Sequence, residues 1–488
     1  MKSNFLSKSR FMAGLQCYLR LWFQCYRRDL IPDTDTATQY RFDIGQEVGK
    51  LATELFHGGK LVESDHFHHE ESVEITAQIL GKKAIPAIFE AGFFYDDVRI
   101  RVDVLQRSKN EKLNLIEVKS STSAKDDYIY DAGIQYHVLT GSGVDIDRIK
   151  ILHLNNEYVY NGQKLDLSQL FAFTDITDTA LDAQPEIIEL LNQLKEVVSL
   201  RDQPDIAPGK QCKDCEFFDH CSKDLPKHWI LKLPRLSEKK YLELREMQIK
   251  DINDIPEDFP LSANQERIRE CVTKQKEYTG PGLGQALNEP EFPLYFLDFE
   301  TISPAIPRYA DTRPYQMIPF QWSLHVLHEN GELEHYEYLH ADDTDPRTRL
   351  AESLINNIGL VGTIVHYTSF ESTILRKLGE EFPNYRSDID KLLKRLWDLK
   401  IVISQNYYHP NFYGSFSIKT VMPTLVPGLS YENLQIQEGS MASVEYLRMI
   451  DRDTDLNEKA KIRQGLIKYC EQDTLGMVEI FRVLKEKL

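Results

Sequence analysis

Apolar and polar positions along the first half of the chain predict a helix, three strands, a second helix and a fourth strand. The turn-prone pair Asp96 and Asp97 and the polar run 108–111 separate apolar stretches that are each long enough for one strand. The predicted elements are, in chain order, a helix at 42–57, strands at 87–95, 98–106 and 112–120, a helix at 126–140 and a strand at 148–154. A longer helical stretch that ends in cysteines follows them.

The second half of the chain shows another series of strands and helices. We predict a strongly apolar strand at 294–299, a hairpin-like pair at 320–328 and 333–339, a helix, a strand at 363–367 and terminal helices. Strands mixed with packed helices are typical of α/β domains. The sequence between the two series is charged and helical. We therefore expect an α/β protein with domains at 1–225 and 289–488, joined by a helical connector at 226–288.

Length and composition favour a globular protein with more than one domain. A chain of 488 residues is too long for one ordinary core, and 42% hydrophobic with 27% charged residues is an ordinary globular composition. No segment reaches the ~18 uncharged apolar residues of a membrane span. Arginines interrupt the N-terminal apolar stretches before a signal-peptide core could form, at Arg10, Arg20, Arg27 and Arg28. A cytoplasmic protein without a membrane partner is expected.

The net charge of -18 argues against a protein that coats nucleic acid by bulk electrostatics. Neutralising phosphates needs Lys and Arg on the binding face. An acidic total is compatible with an enzyme that holds divalent metals on carboxylates and keeps a local basic groove.

Three segments of the C-terminal domain carry carboxylates that could converge on one point. Asp298 and Glu300 lie two apart on a strand, so both side chains point to the same face. Glu371 follows a second apolar strand, where it would start a helix. Tyr469 and Asp473 are four apart and share one helical face. Phosphodiester hydrolysis by two metals needs several converging carboxylates, and oxygen ligands suit Mg²⁺.

Together these segments resemble the three exonuclease motifs of the DnaQ-like DEDD family, in its DEDDy subtype. The resemblance implies an RNase H-like fold and 3′-to-5′ exonuclease activity with Mg²⁺ or Mn²⁺. It assigns the metal ligands to Asp298, Glu300, Glu371 and Asp473, and the orientation of the attacking water to Tyr469.

The sequence departs from that family at the second motif. Glu371 stands where the family has Asp, which keeps the charge, and Tyr367 stands where it has Asn. We interpret Asp398 as a structural residue rather than a ligand. Lys419 is interpreted as a solvated lysine, with contact to a phosphate as the alternative.

The N-terminal domain carries a second candidate site on its predicted strands. Asp103 lies on the second strand, and Glu117 and Lys119 lie two apart on the third, so that these two side chains share one face. A carboxylate in this position can hold a metal while the ammonium polarises the attacking water.

With Gln135 on the following helix, this arrangement resembles the RecB-like branch of the PD-(D/E)XK nuclease superfamily. That branch often supplies a His ligand from a Gly-x-x-x-His motif, but Gly49 occupies the His position here, and we propose Glu47 as a substitute ligand. Leu139 stands where the branch has the Tyr of its Gln-x-x-x-Tyr motif.

Cysteines near the end of this predicted domain suggest a site for a metal ion or a metal cluster. Cys212, Cys215 and Cys221 lie in one short loop, and Cys17 would be the fourth ligand, with Cys25 as the alternative. Thiolates permit zinc or an iron cluster. The pattern resembles RecB-family nucleases in which one N-terminal and three C-terminal cysteines hold a four-iron four-sulfur cluster, and a structural zinc is the alternative. We interpret Cys271 and Cys470 as ordinary buried thiols, and His66, His68 and His69 as part of a surface loop.

The whole chain is similar to an uncharacterised bacterial family that fuses two such domains, through segments at 296–301, 304–307 and 469–474. We expect a metal-dependent nuclease that acts on DNA ends in repair or defence. The alternatives are an RNA 3′-to-5′ exonuclease and a nucleic-acid-binding scaffold with an inactive N-terminal nuclease fold.

Overall fold

A computed structural model describes residues 5–64 and 68–488, and this part of the chain divides into two compact units. Unit 1 comprises Met1–Lys223 and Pro304–Gln316, and unit 2 comprises Asp224–Ser303 and Met317–Leu488. The predicted connector at 226–288 therefore lies within unit 2. None of the described helices combines the length and apolar character that crossing a membrane requires.

Unit 1 is a mixed α/β unit. Its helices and strands are, in chain order, β1 (Leu6–Ser7), α1 (Lys8–Gln16), α2 (Tyr18–Tyr26), a 3-10 turn (Arg28–Leu30), α3 (Thr36–Thr53), β2 (Lys60–Leu61), α4 (His69–Leu80), β3 (Ala87–Tyr95), β4 (Val98–Arg107), β5 (Leu113–Lys119), α5 (Asp126–Gly141), β6 (Ile146–Leu154), α6 (Leu167–Leu170), β7 (Phe171–Asp175), α7 (Thr177–Asp182), α8 (Gln184–Ser199), a 3-10 turn (Lys210–Cys212) and α9 (Phe218–Cys221).

In the described part of unit 1, seven strands form one sheet in the order β2-β3-β4-β5-β6-β7, with β1 beside the start of β4. Strands β3, β4 and β5 are antiparallel neighbours, whereas β5 and β6 are parallel. Parallel neighbours need a crossover connection, which α5 provides. Residues on β4 alternate between buried and half-buried from Val98 to Asp103, so Asp103 lies on the less buried face.

The second segment of unit 1, residues 304–316, packs against residues of unit 1 that are distant from it in sequence. Asp311 N donates to Tyr160 O at 2.8 Å, and Tyr160 N donates to Thr312 O at 2.9 Å. Tyr315 Oη donates to Ser120 O at 2.5 Å, at the end of β5. These bonds attach residues 304–316 to the loop at Tyr160 and to the residue that follows β5.

Unit 2 is also mixed α/β and lies wholly within the described residues. Its elements are, in chain order, a 3-10 turn (Ile230–Lys232), α10 (Glu238–Glu246), a 3-10 turn (Ile252–Asp254), α11 (Ala263–Lys274), β8 (Tyr278–Thr279), α12 (Leu283–Asn288), β9 (Leu294–Ile302), β10 (Ile318–Leu327), β11 (Leu333–Leu339), α13 (Arg347–Asn357), β12 (Thr363–His366), α14 (Ser369–Glu381), a 3-10 turn (Pro383–Tyr385), α15 (Arg386–Leu393), β13 (Leu396–Asp398), α16 (Leu399–Asn406), β14 (Tyr407–Tyr408), a 3-10 turn (Pro410–Phe412), α17 (Ile418–Leu425), α18 (Gly439–Ile450) and α19 (Leu456–Glu486).

Five of the described strands of unit 2 form its main sheet, in the order β11-β10-β9-β12-β13. Strand β10 is antiparallel to β9 and β11, while β12 is parallel to β9 and β13. Every residue of β10 is buried, as expected for a strand covered on both faces. The core of this sheet includes Leu297, Trp322, Leu324 and Leu375. Central strand β9 carries the first predicted carboxylates.

Candidate functional site

Three elements of unit 2 bring the predicted carboxylates and tyrosine to one cavity. Strand β9 carries Asp298 and Glu300, the first turn of α14 carries Glu371, and α19 carries Tyr469 and Asp473 one turn apart. All five side chains line a cavity of about 350 Å³. The two periodicities used in the prediction, two for a strand and 3.6 for a helix, explain why each pair shares a face.

The start of α14 is set by its cap. Thr368 is the N-cap, and its side chain accepts from Phe370 N at 3.1 Å. Glu371 therefore lies in the first helical turn, just beyond the end of β12, where it lines the cavity. Its Oε2 atom is buried, accepts no hydrogen bond from any described residue, and lies 3.5 Å from His366 Nδ1.

Burial and mutual repulsion keep protons on this cluster. Burial, with the charge of Asp473, raises the pKa of Glu300 to about 8. Burial raises the pKa of Asp473 to about 7, against the opposing hydrogen bond from Tyr431. The pKa of Asp298 is raised well above its usual value by burial and by the charges of Asp473, Glu300 and Glu371. Like charges held this closely disfavour ionisation.

The donor set fits divalent cations that prefer oxygen ligands. Among the described residues that line the cavity, four carboxylates are accompanied by one ammonium group, that of Lys419. The four carboxylates thus outnumber the single ammonium group, and Glu371 Oε2 accepts no hydrogen bond from a described residue. Asp298 and Glu300 also belong to a group, with Cys470, whose possible ligand atoms all lie within 4.8 Å of one another.

The site contains side chains that the sequence did not identify. Tyr431 donates a hydrogen bond to Asp473 Oδ1, although the two residues are 42 apart in sequence. Cys470 is buried, as predicted, but it is not an ordinary core thiol, because its Sγ lies 3.4 Å from Asp298 Oδ2. The position of Cys470 between Tyr469 and Asp473 could have indicated that it lies near the site. Tyr431 lies on a loop with no characteristic spacing.

Lys419 is exposed and also borders the site. Its ammonium lies 5.5 Å from the ring centroid of Tyr431 and 5.6 Å from that of Tyr469, and it donates to Gln437 O at 2.8 Å. Asp398 is not among the cavity residues. It caps α16 by accepting from Ile401 N at 2.8 Å, which is a structural role.

The predicted residues of unit 1 also meet, in a network of hydrogen bonds. Asp103 Oδ2 accepts from Val118 N at 2.7 Å. Glu117 accepts from Lys119 Nζ at 2.8 Å and from Gln135 Nε2 at 2.7 Å. Burial, together with the negative charge of Glu117, raises the pKa of Asp103 to about 7.

Two further side chains complete this network. Lys8 on α1 places its Nζ 2.6 Å from Glu117 Oε1, and Asp131 on α5 lies 2.5 Å from Lys119 Nζ. Burial alone would raise the pKa of Glu117, but the two ammonium groups reverse this effect and hold it below its usual range. Asp131 could have been found, since it lies one helical turn before Gln135. Lys8 is 109 residues from Glu117 and carries no such signal.

Glu47 is exposed on α3. No hydrogen bond or ion pair between described residues joins it to Asp103 or Glu117. Leu139, at the position of the missing Tyr, is fully buried in the core. The local network of unit 1 is thus built by α1, β4, β5 and α5.

Four of the predicted cysteines line one small cavity of about 20 Å³, namely Cys17, Cys212, Cys215 and Cys221. Cys25, the alternative ligand, is not among the residues that line it. Burial, with the nearby Cys212, Cys215 and Cys17, raises the pKa of Cys221 to about 11. No three of these sulfurs lie within 4.8 Å of one another in the described chain.

The histidine group is only partly a surface loop. His66 lies outside the described residues, and His68 is exposed. The prediction is wrong for His69, which is buried as the first residue of α4 and has its Nε2 3.0 Å from Phe93 O.

Comparisons with known proteins match parts of this chain. Residues 295–417 match a family model described as "Domain of unknown function (DUF2779)". "Uncharacterized protein MG366" of Mycoplasma genitalium is 26% identical over 215 residues, which are 40% of this chain and 32% of that protein, so the match spans about a third of the relative's length. A solved structure described as "Crystal structure of SSO0001" matches 45% of this chain and 97% of its own at 15% identity. The TM-score of this match is 0.19, which is too low to indicate a shared fold.

Proposed function

We propose that unit 2 is a metal-dependent 3′-to-5′ exonuclease of the DEDDy type, with an RNase H-like fold. The observation that carries the proposal is the convergence of Asp298, Glu300, Glu371, Asp473 and Tyr469 on one cavity, from three elements far apart in sequence. The order and directions of the five strands support the fold assignment.

The residues divide the work of phosphodiester hydrolysis. When bound, a pair of Mg²⁺ or Mn²⁺ ions would stabilise the attacking and leaving oxygens, and the four carboxylates would hold these ions. Burial and the neighbouring acids raise the pKa of Tyr469, so that its hydroxyl keeps its proton and can orient the attacking water. Lys419, at the edge of the cavity, supplies a cation for a phosphate oxygen.

The size of the cavity supports action on chain ends. At about 350 Å³ it is at the lower limit of small-ligand sites, roughly 300 to 1,000 Å³. A cavity of this size has room for one terminal nucleotide. We propose DNA ends as substrate, in cytoplasmic repair or defence, with RNA ends as the alternative. The acidic total charge means that binding depends on local groups such as Lys419.

Unit 1 is proposed to be a RecB-like PD-(D/E)XK domain that a four-iron four-sulfur cluster on Cys17, Cys212, Cys215 and Cys221 stabilises. Among its described residues, Lys8 and Lys119 oppose the charges of Asp103, Glu117 and Asp131. This network has little excess negative charge to attract a cation. This balance of charges favours the alternative in which the nuclease fold of unit 1 is inactive and unit 2 alone cleaves nucleic acid.

The test is release of nucleotides from single-stranded DNA and RNA with Mg²⁺ or Mn²⁺. Asp298→Asn should abolish it, while the matched control Glu445→Gln should not. Glu445 is also buried in unit 2, but it pairs with Arg448 at 3.4 Å and does not line the cavity. Equal digestion by the Asp298→Asn and wild-type proteins would refute the proposal.

A further inference from the structure

We propose that His325, His335 and Glu471 form a separate metal site in unit 2, which takes Zn²⁺ or a similar transition-metal ion. One possible ligand atom from each residue lies within 4.8 Å of those of the other two. His325 and His335 are directly opposite on the antiparallel strands β10 and β11, and Glu471 approaches from α19. None of the three lines the carboxylate cavity.

Hydroxyl groups orient both imidazole rings. His325 Nδ1 lies 2.8 Å from Thr474 Oγ1, which lies 2.8 Å from Ser323 Oγ, and Ser323 Oγ lies 2.9 Å from His335 Nε2. Each ring thus uses one nitrogen in this chain of hydrogen bonds. Histidines that bind metals are commonly held in this way, with the second nitrogen on a fixed hydrogen-bond partner.

The second nitrogen of His335 faces the third residue. His335 Nδ1 lies 3.9 Å from Glu471 Oε1, and the two rings are 4.4 Å apart between centroids. Burial, with the charges of His335 and Arg482, lowers the pKa of His325 to about 3. Two imidazoles and one carboxylate make a three-ligand set with an open fourth position, which zinc accepts.

The consequence concerns helix α19. Glu471 lies between Tyr469 and Asp473 on this helix, and Thr474 follows Asp473. A metal held by Glu471 and by the β10–β11 pair would fix this helical turn against the sheet. The site would then be structural support for the residues of the proposed active site, although its metal binding does not depend on nuclease activity.

The experiment counts zinc in the full chain after equilibration at fixed free Zn²⁺. The His335→Ala and Glu471→Gln proteins should each bind one zinc ion fewer than the wild-type protein. Zinc held by other carboxylates or by thiols is the same in all three proteins and does not affect this difference. Both residues are partly exposed, so these changes should spare the fold, which circular dichroism checks. His328→Ala is the matched control, because His328, just after β10, pairs with Glu334 of β11 at 3.2 Å.

Equal zinc content in the wild-type, His335→Ala and Glu471→Gln proteins would overturn the proposal. A loss of zinc in His328→Ala as large as in His335→Ala would also overturn it. A second measurement is anomalous scattering at the zinc edge from a zinc-soaked crystal, which should give a peak between the three side chains. Because neither measurement uses cleavage, an inactive protein would leave this result standing.

Discussion

The stability of metal-free unit 2 should fall as the pH rises, because its buried carboxylates must ionise. The pKa of Glu300 is raised to about 8 in the folded protein, against an ordinary 4.5. An acid with a raised folded-state pKa keeps its proton more readily when folded. Its full stabilising effect is therefore present below the unfolded-state pKa, and it is lost as the pH rises from there through about 8.

The size of the effect follows from the pKa. One pKa unit corresponds to about 1.4 kcal/mol, so Glu300 alone should lower the free energy of unfolding by about 3 kcal/mol between about pH 5 and about pH 8. Asp473, with a pKa of about 7, acts in the same direction. The two effects do not add fully, since both groups share the same neighbouring charges. Metal at about 100 times its Kd should restore about 2.7 kcal/mol at the higher pH.

Urea unfolding in a chelator, followed by tryptophan fluorescence, measures this dependence. Trp229, Trp322 and Trp397 all report on unit 2. Glu300→Gln should flatten the loss of stability with pH, whereas Glu445→Gln should leave its slope unchanged. Equal stability of the metal-free wild-type protein at both pH values would refute this pH dependence, and so would Mn²⁺ stabilising the protein no better at high pH than at low pH.

Three further predictions concern the other sites. Tyr431→Phe removes the hydrogen bond to Asp473 and should weaken Mn²⁺ binding by roughly ten-fold, as calorimetry would show. Cys215→Ser should bleach the brown colour of anaerobically purified protein, and stoichiometric zinc without iron would contradict the cluster. In the Asp298→Asn background, any remaining Mn²⁺-dependent cleavage should disappear with Lys119→Met and persist with Glu47→Gln, because Glu47 lies outside the network of unit 1. Full loss of this cleavage in the Glu47→Gln protein would contradict the position of Glu47 outside the network of unit 1.

Local periodicity explains most of what the sequence could predict. Strand β11 has the predicted bounds, 333–339, and β3 has the predicted bounds 87–95. The spacing of Asp298 and Glu300 on a strand, and of Tyr469 and Asp473 on a helix, placed both pairs on shared faces. Strand β7 was missed because its five residues alternate weakly and leave Phe173 exposed.

Long-range packing explains the rest. Lys8 reaches Glu117 across 109 residues, and Tyr431 reaches Asp473 from a loop. Residues 304–316 follow β9 in sequence but pack on unit 1. The contacts of Lys8, Tyr431 and residues 304–316 are set by tertiary packing, which leaves no periodic signal along the chain. The pair of histidines on β10 and β11 becomes visible only once the register of the two strands is known.

The most direct test of the central claim is a time course with a 5′-labelled single strand of DNA and Mg²⁺. Wild-type protein should give a ladder that shortens from the 3′ end, Lys119→Met should give the same ladder, and Asp298→Asn should leave the strand intact. Shortening of the strand by the Asp298→Asn protein at the wild-type rate would contradict an exonuclease site in unit 2, since cleavage would then not depend on its carboxylates.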